Sequence, residues 1–259
     1  MVSETKIEPS PERSGDGELW FRRFHPEAGP RPGLVCFPHA GGSAAYWYPL
    51  SAALRGRADV LAVQYPGRQE RRREPLPVSI DDLADGIVDA WLPPVEPPFV
   101  FFGHSMGAIV AFEVARRLHA QGRPGPQALV VSGRRAPSRQ RVERVHLRDD
   151  PGLVEELRSL GGSQQGVLTD PELLSLVLPA VRADYRAIET YTYRPGPRLT
   201  CPVTALVGDA DPKASVEEAD AWREHTTAGF DLRVFSGGHF YLTEHQDQVT
   251  ARLAAVLGV

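Results

Sequence analysis

The sequence predicts an α/β protein with a mostly parallel central sheet covered by helices on both faces. Short apolar runs rich in Val, Phe and Leu alternate with longer amphipathic stretches, which is typical of strands that are buried on both faces and joined by helical crossovers. The chain has 259 residues, of which 42% are hydrophobic and 24% charged, so it is long enough to bury a large core without disulfides or metals. These observations favour one α/β domain over residues 18–259.

Strands and helices follow one another in order along this domain. The apolar runs predict strands at Leu19–Phe24, Leu34–Phe37, Val60–Gln64, Phe99–Gly103, Ala128–Ser132, Val203–Val207 and Asp231–Phe235. The amphipathic stretches predict helices at Tyr46–Leu54, Ile80–Trp91, Met106–Ala120, Val216–Thr226 and Gln246–Leu257. Residues 1–17 combine charge with Pro, Ser and Gly and cannot bury enough apolar surface to fold, so we expect a disordered tail there.

One interval breaks the alternation, because residues 133–200 contain no convincing strand. Asp-Asp-Pro at 149–151 and Thr-Asp-Pro at 169–171 each join a capping carboxylate to an early proline, which is a helix-start signal. We predict helices inserted as a lid over the sheet edge at about residues 134–195, although an ordinary long crossover is the alternative. The two helices are expected at Leu153–Leu160 and Pro171–Tyr191.

Composition excludes several classes of protein. Cys36 and Cys201 are too few for a disulfide framework or a cysteine-rich zinc module. The net charge of −4 argues against a general nucleic-acid binder, which needs a basic surface. No run approaches the roughly 18 apolar residues of a membrane span, and the first residues lack the apolar core of a signal peptide. We expect a cytoplasmic monomer with no metal, no membrane partner and no nucleic-acid partner.

A nucleophile elbow is predicted where the fourth strand meets the next helix. Residues 103–107 read Gly-His-Ser-Met-Gly, a G-x-S-x-G pattern between an apolar strand and an amphipathic helix. Such a turn lifts the serine above the sheet, and the two glycines leave room where strand and helix crowd together. The helix N-terminus points its dipole at the site where negative charge develops. Ser105 is the candidate nucleophile, with a purely structural turn as the alternative.

A serine hydroxyl needs a base to accept its proton and an acid to orient that base. His239 follows the last strand and a Ser-Gly-Gly loop, at the sheet edge that carries the site in parallel α/β proteins, and His245 is the second choice. The turn after the preceding strand carries Asp209 and Asp211. Asp211 resembles the acid of α/β-hydrolases, which leaves Asp209 as a turn-capping residue. The order Ser105, Asp211, His239 is that of the α/β-hydrolase fold.

Two backbone N–H groups are expected to bind the oxyanion that forms during acyl transfer. One belongs to Met106, which follows the nucleophile. The other should come from the small-residue loop at 38–42, Pro-His-Ala-Gly-Gly, with Ala40 as the expected donor. We assign no catalytic role to His39.

The motifs together resemble those of the type II thioesterases, the stand-alone editing hydrolases of modular polyketide and nonribosomal peptide synthases. The resemblance covers nearly the whole chain after about Trp20. Ser163 and Gln164 depart from it, because Thr-Pro is the expected pair there. The motifs are F-P-H-A-G-G (37–42), Y-P-G-R (65–68), G-H-S-M-G (103–107), L-G-G (160–162), P-E-L-L to R-A-D-Y (171–185) with E-T-Y after it, G-D-A-D-P (208–212) and G-G-H-F (237–240).

The resemblance implies a substrate class and a partner. The substrate would be an aberrant or stalled acyl group held as a thioester on the phosphopantetheine arm of an acyl or peptidyl carrier protein. The arm belongs to the substrate, so no cofactor is expected. The inserted helices would cover a passage for the arm and an apolar pocket for the acyl chain. Leu-Gly-Gly-Ser at 160–163 is similar to a carrier attachment site, but its serine comes one residue too early, so we interpret it as a helix end.

An arginine-rich segment follows the third predicted strand at the same sheet edge. Because carrier proteins are acidic and the arm bears a phosphate, this patch could steer carrier docking. A solvated loop balanced by Glu70 and Glu74 is an equally good interpretation. The candidate docking residues are Arg68, Arg71, Arg72 and Arg73.

Two alternative functions remain open on the sequence. A small-molecule carboxylesterase or acyltransferase could use the same triad, because serine attack works on oxygen esters, thioesters and amides alike. A catalytically silent hydrolase-fold binding protein is disfavoured, since the candidate nucleophile, base and acid are all present.

Overall fold

A seven-stranded sheet forms the centre of the computed structural model, which describes residues 19–91, 98–161 and 170–259. The predicted tail at 1–17 and the pair Ser163 and Gln164 lie outside these residues. The strands occur across the sheet in the order β1-β3-β2-β4-β5-β6-β7. Their bounds are β1 (Phe21–Arg22), β2 (Gly33–Phe37), β3 (Asp59–Val63), β4 (Phe99–His104), β5 (Ala128–Ser132), β6 (Val203–Gly208) and β7 (Phe230–Phe235).

Helices lie in the connections between these strands and after the last strand. The α-helices are α1 (Tyr48–Ala53), α2 (Ile80–Asp89), α3 (Met106–Ala120), α4 (Asp150–Leu160), α5 (Pro171–Glu189), α6 (Val216–Asp220), α7 (Tyr241–Glu244) and α8 (Gln246–Leu257). Short 3₁₀ helices lie at Ala44–Trp47, Gln69–Arg71, Val145–Leu147 and Ala221–His225. Within the described ranges, no helix combines the length and the apolar character that crossing a bilayer requires.

The sheet is buried on both faces, as the predicted fold class requires. Strands β2 to β7 are parallel to one another, and β1 pairs antiparallel with β3 at one edge. Since successive strand residues point to opposite faces, Val35 and Phe37 pack in one core with α2 and α3. Leu34 and Cys36 pack in the other core with α1 and α8. This arrangement confirms the predicted α/β-hydrolase architecture.

The two helices predicted between β5 and β6 are present and begin at the predicted signals. Asp149 caps α4 by accepting a hydrogen bond from the Gly152 N–H (3.0 Å), and Asp170 caps α5 in the same way. A proline occupies the first turn of each helix. The apolar faces of α4 and α5 form a small separate core that also contacts Ala40 of the loop after β2. We call α4 and α5 the insertion.

Some boundaries differ from the sequence predictions. The first strand is reduced to Phe21–Arg22, because at the sheet edge it has β3 as its one pairing strand. The helix predicted at Val216–Thr226 becomes 3₁₀ from Ala221 onward, where the indole of Trp222 is fully buried and donates to the Arg134 carbonyl (2.9 Å). Helix α7 was not predicted, since its four residues are too short to show a period.

Candidate active site

Ser105 lies at a sharp turn between β4 and α3, with φ +55° and ψ −120°. Gln69 and Ser105 are the non-glycine residues with positive φ in the described part of the chain. A Cβ on Gly103 would lie 2.2 Å from the Gly107 carbonyl oxygen, and one on Gly107 would lie 2.1 Å from the Phe37 carbonyl oxygen. No side chain fits at either glycine, so strand and helix approach closely and Ser105 adopts a strained conformation of the kind found at functional sites.

Ser105, His239 and Asp211 form a continuous hydrogen-bonded chain. The Nε2 atom of His239 lies 2.9 Å from the Ser105 Oγ. On the other side of the ring, Nδ1 lies 2.9 Å from each carboxylate oxygen of Asp211. Because a carboxylate accepts, Nδ1–H donates to Asp211, which leaves the Nε2 lone pair to accept from the serine hydroxyl. The side chains of Asp211 and His239 are almost completely buried, so this orientation is fixed.

The structure separates the two aspartates that the sequence left as alternatives. The Lys213 N–H donates to Asp211 Oδ1 (2.8 Å), which holds the carboxylate beside the imidazole. Asp209 is exposed and accepts from the Gly237 N–H (2.9 Å) in the loop that leads to His239. The structure thus brings Asp211 to the base and leaves Asp209 to hold a loop. His245 contacts Ser236 through Nε2, whereas the hydrogen bond with the Ser105 hydroxyl is made by His239.

Two further histidines, His39 and His104, lie beside His239. The ring of His104 is fully buried, with its centroid 5.0 Å from that of His239. Burial, and then the neighbouring His239, hold the pKa of His104 well below its usual value. The same two causes, burial first, lower the pKa of His39 to about 3. Both rings are therefore neutral near pH 7 and place no positive charge against a protonated His239.

A second hydrogen-bond chain lies under the base, and sequence reasoning missed it. His104 Nδ1 lies 2.9 Å from the Ser132 Oγ, which in turn lies 2.6 Å from the Tyr241 hydroxyl. Ser132 also accepts the Ser105 N–H at its carbonyl oxygen (2.8 Å). The chain therefore fixes the floor of the elbow. The available signal was a polar residue, Ser132, at the end of an otherwise apolar strand.

The two expected oxyanion donors lie at one edge of the sheet. Met106 begins α3, and the first N–H groups of a helix have no acceptor within it. The contact between Gly107 and the carbonyls of Phe37 and Pro38 brings the loop that contains Ala40 against the start of this helix. The backbone of this loop can therefore approach an acyl group on Ser105.

A buried ion pair anchors that loop to the insertion. Asp184 of α5 accepts from the Gly41 N–H through Oδ2 (2.7 Å). Both of its carboxylate oxygens also accept from the Arg68 Nη2 (2.8 Å each). Asp184 is 1% exposed; burial raises its pKa, while Arg68 and the Gly41 amide act in the opposite direction. Sequence reasoning gave Asp184 no role, although an aspartate on the apolar face between Val181 and Ile188 was a signal.

Two arginines of the expected docking patch are structural, so this part of the prediction was wrong. Arg68 is buried against Asp184. Arg71 is 5% exposed, because its guanidinium lies over the Trp20 ring (4.3 Å to the centroid) and donates to the Gln64 carbonyl (2.8 Å) and to Glu74. Sequence proximity alone had grouped these cations with the exposed Arg72 and Arg73.

The cysteines are poor competitors for Ser105. Burial raises the pKa of the Cys36 thiol well above its usual value and that of Cys201 to about 11. Within the described ranges, no three side chains of His, Cys, Asp or Glu cluster in a way that could hold a metal ion. The nucleophile supported by the geometry is thus the serine hydroxyl.

Comparison with known proteins relates the chain to one enzyme family. A family model described as the thioesterase domain matches residues 32–257. The probable cadicidin biosynthesis thioesterase of Streptomyces griseus is 54% identical over 92% of this chain and 66% of its own length. Thioesterase PikA5 of Streptomyces venezuelae is 51% identical over 90% of this chain and 84% of its own length.

Solved structures give the same result. The type II thioesterase BorB from the borrelidin biosynthetic cluster superposes with a TM-score of 0.87 at 51% identity, over 93% of this chain and 98% of its own. YbtT, a type II thioesterase from the yersiniabactin pathway, superposes with a TM-score of 0.81 at 33% identity, over 92% of this chain and 98% of its own.

Exchanging each aspartate for asparagine should distinguish their roles. Asp211→Asn should lower kcat by roughly 10⁴-fold, because an amide at this position favours the wrong imidazole tautomer. Asp209→Asn should have a small effect, because its amide oxygen can still accept from Gly237. Steady-state rates with an N-acetylcysteamine thioester measure both variants. A larger loss for Asp209→Asn would exchange the two assignments.

Variants of the Arg68–Asp184 ion pair should show different effects on the free energy of unfolding and on kcat. Asp184→Asn leaves Arg68 buried without a counter-charge and should lower the free energy of unfolding by about 3 kcal/mol. The double variant Arg68→Met/Asp184→Leu removes both charges and should recover most of that stability. It should nevertheless keep a low kcat, because the Gly41 N–H no longer donates to a carboxylate at position 184 and the loop with Ala40 is held less firmly against α5. Urea unfolding and steady-state kinetics test this; full recovery of kcat in the double variant would leave Asp184 a purely structural role.

Proposed function

The chain belongs to the thioesterase family and is a thioester hydrolase, and from this premise we propose that it removes acyl groups from the phosphopantetheine arms of acyl and peptidyl carrier proteins. It would act as an editing enzyme of a polyketide or nonribosomal peptide synthase. The observation that carries the catalytic part is the hydrogen-bonded chain from Ser105 through His239 to Asp211. The biosynthetic pathways named for the similar type II thioesterases support the substrate class.

In the acylation half of the proposed mechanism, Ser105 is the nucleophile and His239 the base. As the serine Oγ bonds to the acyl carbon, its proton moves to Nε2, which lies 2.9 Å away. Asp211 takes no proton; it holds Nδ1–H and stabilises the imidazolium. The tetrahedral intermediate then breaks its carbon–sulfur bond, and the sulfur of the arm leaves with the proton from Nε2 as a thiol.

In the deacylation half, water takes the place of Ser105 as the nucleophile and His239 again acts as the base. His239 Nε2 accepts a proton from water as the water oxygen bonds to the acyl carbon of the acyl-enzyme. The bond to Ser105 Oγ breaks, the proton returns to the serine, and a carboxylic acid is released. In both halves the N–H groups of Met106 and Ala40 would donate to the oxyanion. Removing one such donor typically costs on the order of 10²-fold or more in kcat.

We assign the insertion the role of a lid over the acyl group. Its core contacts Ala40, and Asp184 ties α5 to the neighbouring Gly41. A cover at this position would exclude water from the oxyanion until the acyl-enzyme has formed. The carboxylesterase or acyltransferase alternative is not favoured, because the matching family and the relatives compared above are thioesterases.

The substrate proposal is tested by mass spectrometry of a carrier protein loaded with acyl chains of graded length. The wild-type enzyme should return the carrier to its free-thiol mass. Ser105→Ala should leave the carrier loaded and form no acyl-enzyme, because the nucleophilic oxygen is missing, while thermal unfolding shows an intact fold. An acyl adduct on another residue would refute the assignment. Hydrolysis of small thioesters with untouched carrier would refute the carrier as substrate.

The docking role remains proposed for the two exposed arginines, Arg72 and Arg73. The double variant Arg72→Gln/Arg73→Gln should raise KM for acyl-carrier protein several-fold, because complementary charge accelerates encounter. It should leave the rate on an N-acetylcysteamine thioester unchanged. The matched control, Arg194→Gln/Arg198→Gln, removes two exposed charges from the loop before β6. Equal effects of both double variants on carrier hydrolysis would rule out a specific docking role.

A further inference from the structure

A cavity of about 200 Å³ lies beside the helix of the nucleophile. Its walls come from the loop at residues 134–143 after β5, from the end of α5 and the chain after it at residues 188–192, and from Ile109 of α3. The loop leaves β5 at the same sheet edge as Ser105, whose N–H donates to the carbonyl of Ser132 (2.8 Å). The cavity therefore adjoins the site without containing any triad residue.

Arg134 is the unusual residue of this cavity. It is 9% exposed, and its Nε is enclosed without a hydrogen-bond partner. Across residues 19–91, 98–161 and 170–259, no side chain forms an ion pair or a hydrogen bond with its guanidinium. Burying a cation without an ion-pair partner is costly, so an anion bound beside Arg134 would offset part of that cost.

The other charged groups that line the cavity already have partners. Arg139 and Arg141 pair with Glu224 and Glu218 respectively. Of the remaining groups, Arg135 pairs with Glu143, which also pairs with Lys213, and Glu189 pairs with His146. Among the described charged residues that line this cavity, Arg134 is therefore the one that forms no ion pair of its own.

Arg134 remains a cation at neutral pH. Burial, and secondarily the adjacent Arg135, lower its pKa to about 9, while Glu143 and Glu218 act in the opposite direction. A cation in a confined space of this kind forms strong charge-assisted hydrogen bonds with the oxygens of a phosphate or carboxylate.

We propose that the Arg134 cavity binds an oxyanion of the acyl thioester substrate. This inference rests on the proposed function, because it assigns part of that substrate to a site beside the nucleophile. Two groups have the required chemistry: the phosphate of the phosphopantetheine arm and a terminal carboxylate on the acyl chain. Ile109 lies one turn along α3 from Ser105, so the cavity is within reach of a substrate bound there.

Anion binding is tested first without turnover. Inorganic phosphate or malonate should raise the Tm of the wild-type protein relative to chloride at equal ionic strength, because a ligand that binds the folded state stabilises it. Arg134→Gln should abolish the shift. Arg139→Gln is the matched control, since it removes the same charge from the same cavity wall but from an arginine paired with Glu224. It should keep the shift.

Turnover then identifies the source of the anion. The substrates are acetyl- and malonyl-pantetheine, each with and without the 4′-phosphate. The wild type should prefer the phosphorylated arm or the malonyl group by roughly tenfold in kcat/KM, the worth of a hydrogen bond to a charged group. Arg134→Gln should bring that ratio close to one, and Arg139→Gln should not. If the preference for the phosphorylated arm falls in Arg134→Gln, the bound group is the phosphate; if the preference for the malonyl group falls, it is the carboxylate.

Every other pattern overturns the inference. If the wild type shows neither an anion-dependent Tm shift nor a preference, the cavity binds no oxyanion. The same holds if Arg134→Gln keeps the wild-type ratios. Arg134→Lys retains the positive charge on a single nitrogen and should keep part of the substrate preference. This variant serves as a second test if Arg134→Gln does not fold. Wild-type hydrolysis of uncharged acetyl-pantetheine measures the thioesterase activity without any anion. Failure of the proposed function can therefore be distinguished from failure of the anion-binding inference.

Discussion

Close packing of β4 against α3 is the constraint on which the site depends. A Cβ at Gly103 would lie 2.2 Å from the Gly107 carbonyl oxygen. Only glycine, which has a hydrogen atom in place of a side chain, therefore fits where β4 meets α3. The chain must reverse within Ser105 itself, which therefore takes φ +55°. Such strain persists when the surroundings over-determine the conformation, and here both flanks are buried in the sheet and its covering helix. The parallel sheet then brings the turns after β6 and β7 to the same edge.

The insertion is bound to the core by charge as well as by apolar packing. Asp184 receives one hydrogen bond from the loop after β2 and two from Arg68. An aliphatic pair could fill the same volume at no loss of stability, so the ion pair is explained better by the geometry that it imposes on Gly41. Any movement of α5 that carries Asp184 away from this site also breaks its hydrogen bond with the Gly41 N–H. The insertion and the loop that contains Ala40 are consequently coupled.

The sequence was sufficient for the fold class, and its motifs select three residues that the structure brings within hydrogen-bonding distance, because both depend on local pattern. G-x-S-x-G between an apolar and an amphipathic segment locates Ser105, and chain order selects the acid and the base. The sequence was insufficient where a residue pairs with another that is distant along the chain. Arg68 and Asp184 are separated by 116 positions, and nothing in the sequence near Arg68 indicates that it is buried. The docking prediction failed in part for this reason. The edge strand β1 was predicted but is shorter than its apolar run suggested, and the four-residue helix α7 was missed because it is too short to show a helical period.

The burial of Cys36 and the partial burial of Cys201 have a consequence for an enzyme that handles activated acyl groups. Thiolates exchange readily with thioesters, so an exposed, ionised cysteine would become self-acylated and withdraw enzyme from turnover. Cys36 is inaccessible, and the pKa of Cys201, about 11, leaves it overwhelmingly protonated at neutral pH. In the proposed mechanism the acyl group is therefore held as an oxygen ester on Ser105, from which water can release the product. The protein is protected against bystander modification by its own substrates.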